Sequence, residues 1–360
     1  MADTFVPTAQ LTPTPATPSA APSNSTTTTP GQKGALDTET TKPRSSKSCK
    51  TDPYRHLGRH FVRTIELIVD PYTIIKEGVK RVTDTQNELR PKYTIPEDRN
   101  YAAFMALGRH INTLLHDVYG NPKAQQQVAQ SIRDGASGAR SDDTNEMKRN
   151  VLNWIEDSLV ASRMPLHPKI MLNRGHHHPD TSRLLAPAVL GPWNPAVQQA
   201  LVTGTAKIDE RPVTPSDWPA FIYAGQFIPR APMEGLLRRP LLVTAYRMVF
   251  ISFISASFVT SEGRGTRSGN AALHGMTSVN DASIAYVAAE FFFSLSSKAT
   301  FTKNKDNGAI EFYNSIRVFL GTPISRLTSK SSCSGGMSDN SEVRANHHLA
   351  LLKNARPGNV

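Results

Sequence analysis

Two stretches of the chain carry residue types that could do chemistry. In EGRGTRSGNAALHGMTSV, residues 262–279, glycines alternate with Arg264, Arg267, Asn270 and His274. Glycine amides beside two arginines suit an anion. The spacing, however, misses the dinucleotide fingerprint, since Gly263-x-Gly265 is followed by Ser268-Gly269, and the stretch follows an expected helix rather than a strand. The next helix also brings its own carboxylate, Asp281, to the end where a phosphate would sit. The expected role is therefore a connector: glycines in tight turns, Asn270 and His274 bonding backbone, arginines at the surface.

The second stretch is HHHPD, residues 176–180. His178-x-Asp180 has the spacing of an iron facial triad, with His274 as a distal third ligand. That chemistry needs the pair on a rigid strand of a β-barrel, whereas here it lies in a proline-rich stretch of a helical chain. A surface or capping role is the expectation, with no metal and no cofactor. Cys49 and Cys333 both fall in low-complexity flanks, so no thiolate zinc site or disulfide frame is available. Nucleophile elbow, Walker phosphate loop and His-Glu-x-x-His are all missing, and Glu156–Asp157 reads as a solvated helix face.

The elements that must position these residues read as helices. DPYRHLGRHFVRTIELIVD places Leu57, Phe61, Ile65 and Ile68 on one face, with Asp52 as cap and Pro53 in the first turn. Pro71 ends that helix, and YTIIKEGVKRV continues as a shorter one. PEDRNYAAFMALGRHINTLLHDVYG forms another, closed by Gly120 and Pro122. NEMKRNVLNWIEDSLV follows after an expected loose loop, SIRDGASGARSDD. The tetrapeptide LGRH occurs at 57–60 and at 107–110; its flanks do not match, which indicates two helices built alike rather than a duplication. Residues 164–240 carry prolines that forbid long helices and central strands, so Trp193, Trp218, Phe221, Tyr223 and Phe227 are expected in an irregular wrap over the helical body. RRPLLVTAYRMVFISFISASFVT and NDASIAYVAAEFFFSLSS read as buried helices, and NGAIEFYNSIRVFLG as a last amphipathic one. Arg247 and interspersed hydroxyls argue against a membrane span at 241–260.

Composition bounds the rest. The chain has 360 residues and a net charge of +11. Residues 1–52 are Thr, Pro and Ser-rich with little to bury, and 321–360 are similar, so both are expected to be disordered tails around a single helical domain at 53–320. No signal peptide is recognisable at the start, and the expected location is nuclear or cytoplasmic. The first 52 residues hold five basic and four acidic groups, so the positive excess lies in the body, which favours a polyanionic partner.

The segments GLLRRPLLVTAYRMVFIS, GTRSGNAALHGMTSVNDASIAYVAAEFFFSLSS and EFYNSI, with RLLAP, DWPAFIYAG and DPYRHLGRHF before them, resemble an uncharacterised, multi-copy domain family of mushroom-forming (basidiomycete) fungi. Its core is similar to ATRSGNA-x-IHGMTSVTPASIAYVA. The resemblance covers most of residues 150–320 and implies no assigned activity, only an association with mobile-element-rich genomes. This chain departs from the pattern at ISFISASFVTSEGRG and after its last helix, where the family continues into an acidic, Trp-containing end. That leaves a truncated or mis-spliced copy as one reading.

The fold expected is thus mainly α, one helical domain with an irregular proline-rich segment and disordered flanks. The function expected is a non-enzymatic binding or interaction module, associated with nucleic acid or another polyanion and not with a membrane. Candidate contacts are Arg59, Arg63, Arg109, Arg264, Arg267, Asn270 and His274. Two alternatives stand beside it. One is an enzyme, metal-dependent through His178, Asp180 and His274 or acting on a phosphorylated substrate at the Arg264 loop. The other is a decaying element copy without a selected activity.

Overall fold

The computed structural model describes residues 52–86, 92–158, 166–167, 170–251, 269–301 and 308–321. All fall in the second of the two units into which the chain divides, Lys50–Val360. Apart from Asp52 and Gly321, the two expected tails lie outside the described residues, as do Arg264, Arg267 and the 252–260 part of the long apolar run.

The described chain is mainly helical. Helix α1, Pro53–Thr64, starts where the Asp52 side chain accepts the Tyr54 N–H and Pro53 supplies a preset φ. It ends before Ile65, earlier than the apolar spacing predicts. Glu66 turns its carboxylate back onto the Ile68 N–H and is gripped by Arg99 at 2.7 Å, which fixes a bend before α2, Pro71–Gln86. Helix α3, Ile95–His110, opens with a Thr94–Glu97 capping box. The expected continuation stops at Ile111, whose extended backbone hands over to the one-turn helix α4, Leu114–Val118.

Helix α5, Pro122–Ser158, runs unbroken for 37 residues, about 55 Å at the α-helical rise. The loose loop expected at SIRDGASGARSDD is therefore corrected to helix. Its glycines serve a crossing and not a turn. A Cβ at Gly135 would strike the Arg55 carbonyl oxygen of α1, and one at Gly58 of α1 would strike the Ile132 carbonyl oxygen of α5. The two backbones touch through missing side chains, and the packing this allows offsets the roughly 1 kcal/mol that glycine costs inside a helix.

The proline-rich middle forms short pieces: α6, Pro179–Leu185; α7, Pro195–Thr203; and a two-residue hairpin, β1 Lys207–Ile208 with β2 Arg211–Pro212, antiparallel in register Lys207↔Pro212. Phe221 and Tyr223 are buried there, and Trp218 and Phe227 pack partly against the core. Next come α8, Pro240–Phe250, the single turn α9, Asn270–Leu273, then α10, Asp281–Leu295, and α11, Gly308–Gly321. Helix α10 is the innermost element: every residue from Ala282 to Leu295 except Phe292 is buried, as its continuous apolar character demands. Asn280 caps it through the Ser283 N–H. Among the described residues no helix is long and apolar enough to cross a membrane.

Candidate functional site

Helix α1 repeats histidine after four residues, which puts His56 and His60 on one face. His60 is 5% exposed, while His56 stands at the surface above it. The second LGRH ends α3, and its histidine meets that of the first: the His110 and His60 rings lie edge to face at 4.3 Å. The two copies of LGRH are thus helices built alike whose polar ends converge, with Leu57 and Leu107 both in the core. A fourth ring arrives from the turn after α9. His274 lies 5.0 Å from His56 and 4.8 Å from His60, tilted to both. The turn is tied down by Asn270, whose amide donates to the Val249 carbonyl of α8, and by Gly269, which leaves no room for a Cβ against Ile251.

Burial, then the neighbouring His110, His274, Arg63 and His56, hold His60 down to about 3. Burial, followed by His56, Arg63, Arg59 and His110, holds His274 down to about 4. His110 is lowered by burial and by Arg109. Near neutral pH these three rings are uncharged. They form a chain, His56–His274–His60–His110, that meets through ring faces and edges, whereas a metal ion needs nitrogen lone pairs aimed at one point. Among the described residues no group of three His, Cys, Asp or Glu side chains is placed to hold a metal ion.

The residues singled out from sequence fall as follows. Arg59 is partly exposed and bridges to Asp142 of α5 at 2.7 Å. Arg109 is exposed in the last turn of α3. Arg63 faces inward: it is 1% exposed, and its guanidinium donates twice to Asp143, at 2.7 Å each. Asn270 bonds backbone, as a connector would, while His274 lies tilted against two imidazoles. The metal alternative is corrected. His178 accepts the Asp180 N–H at 3.2 Å as the cap of α6, and His274 belongs to the other cluster, against α1.

Sequence reasoning missed His56, His60 and His110; the repeated LGRH and the spacing of four were the available signals. It also missed a polar layer beneath them. Asp143 accepts from Arg63 and, at 2.7 Å, from the buried Tyr286 hydroxyl of α10. One residue on, Thr144 donates at 2.7 Å to Glu290, a fully buried carboxyl that burial pushes up to about 8. The hollow lined by Leu237, Leu242, Val243, Tyr246, Ile284 and Val287 is apolar apart from the Tyr246 hydroxyl, which bonds Ser283 at 3.0 Å. It offers no acid–base pair.

Comparisons with curated proteins and with solved structures give no match. A family model matches residues 134–331, from about a third of the way along α5 past α11, so it includes His274, Asp143 and Glu290 and leaves out His56, His60 and His110. That match spans more than half of the chain, which belongs to the family of unknown function DUF6698.

Proposed function

We propose that the protein is a non-enzymatic interaction module whose partner is a polyanion, nucleic acid foremost, and that it works in the nucleus or cytoplasm. One observation carries this reading. Arg59, Arg109 and the imidazoles of His56, His110 and His274, drawn from three chain segments, gather around His60 at a surface where Arg55 is also exposed. Phosphate contacts of this kind give affinity without base readout.

Much of the chain's basic charge is committed elsewhere. Arg63, Arg81, Arg99, Arg133 and Arg211 each hold a carboxylate, and Arg59 itself bridges to the exposed Asp142, so a phosphate there competes with that carboxylate. The contact set is correspondingly small, and two to three neutralised phosphates would give a log–log salt slope of about −2 to −3. Fluorescence anisotropy of labelled single-stranded and duplex oligonucleotides across a salt series tests this. Wild type is expected to bind at low salt, and Arg59→Ala/Arg109→Ala to flatten the slope by about 2. Absence of binding at the lowest salt, or an unchanged slope in the variant, overturns the reading.

A further inference from the structure

The imidazole chain joins three pieces of backbone that have little else in common: the first half of α1, the last turn of α3 and the turn at 269–276. His60 is shielded from water, since it is almost wholly buried and its N–C–N edge is turned to the Thr64 hydroxyl, 3.0 Å from Nε2, while His274 is half-buried. The charged groups around it come from every neighbouring element. Helix α1 contributes Arg59 and Arg63, α3 contributes Arg109, and α5 contributes Asp142 and Asp143. From α10, Tyr286 reaches the cluster only through Asp143. Both carboxylates are already engaged by Arg59 and Arg63. A proton placed on any ring therefore adds a cation beside arginines, and among the described residues no uncommitted carboxylate is there to meet it.

We infer that His56, His274, His60 and His110 form a proton-operated latch: acid drives the end of α3 and the 269–276 turn away from α1, while α1 stays on α5. The parts that move are short, and the 269–276 turn is tied to the end of α8 rather than to α1. Backbone beyond His110 is extended at Ile111, and α9 is a single turn. The part that stays is fixed by the close approach at Gly58 and Gly135 and by the buried Arg63–Asp143 pair.

The pH window follows from the depressed imidazoles. His60 and His274 bind protons more weakly in the folded chain, at about 3 and about 4, than their ordinary value of 6.5. The latch is thus whole above about pH 6.5 and is progressively lost as pH falls toward 4.

Two measurements on the full chain test this. In an imidazole NMR titration, the His60 and His274 resonances should titrate below about pH 5 or vanish as the latch opens, well under the ordinary imidazole value near 6.5. Hydrogen exchange, corrected for intrinsic rate, should rise at least about tenfold between pH 7.5 and pH 5 in peptides covering 105–112 and 270–276, and stay flat across 122–158. His60→Gln/His274→Gln should abolish that pH dependence; should it fail to fold, His110→Gln at the rim serves in its place and reduces it. Ordinary titration of His60 and His274 near 6.5 overturns the proposal. So does acid deprotection that is uniform over the chain or identical in the variants.

Discussion

Glu290 has no exposed surface, takes one hydrogen bond from Thr144 and leaves its other oxygen without a hydrogen-bond partner. Burial raises it to about 8 from 4.5, so the folded chain holds it protonated at neutral pH. Its stabilising contribution is full below 4.5 and is lost as pH rises toward 8. Glu290→Gln keeps the shape and removes the titration. The variant should match wild type at pH 4.5 and exceed it at pH 8 by up to about 4 kcal/mol in urea unfolding; a difference that does not vary with pH would contradict a protonated Glu290. Arg63 behaves oppositely. Burial works against its charge, but the bidentate Asp143, with Tyr286 and Asp142 behind it, raises its pKa on balance. Replacing Arg63 by Met strands a buried carboxylate and should cost about 3–5 kcal/mol. Neither role was legible in the sequence, where Arg63 reads as one more surface arginine on an amphipathic helix. Nothing local says that Asp143, eighty residues on, will face it.

At the scale of elements, the boundaries encoded locally were readable. Asp52–Pro53 and Asn280–Asp281 open helices because a short polar side chain next to a helix-compatible turn satisfies free N–H groups whatever the surroundings. The 131–143 stretch was misread because glycine and serine weaken a helix in isolation, and only α1 laid against them explains their presence. That explanation has a measurable consequence. Gly58→Ala or Gly135→Ala must push two backbones apart and should destabilise by about 1–3 kcal/mol. Gly108→Ala, inside α3 with nothing within 4 Å of the added carbon, should instead stabilise by about 0.5–1 kcal/mol. Urea midpoints of the three variants decide it, and equal effects at all three sites would remove the close crossing from the account.

For the whole molecule, the candidate site exists only as a product of the fold. His56 and His60 share a helix face by spacing, yet His110 and His274 come from chain fifty and more than two hundred residues away, and no periodicity links them. The helical character was legible because apolar spacing is local, whereas the meeting of α1, α3 and the 269–276 turn depends on α5 and α10 packing on α1 from its other sides. That meeting is the claim on which both the polyanion reading and the latch rest. Histidine-labelled protein at pH 7.5 tests it through ring-to-ring nuclear Overhauser contacts. Ring centroids 4.3 and 4.8 Å apart predict cross-peaks from His60 to both His110 and His274, and from His274 to His56. A spectrum in which His60 shows neither contact would contradict the account.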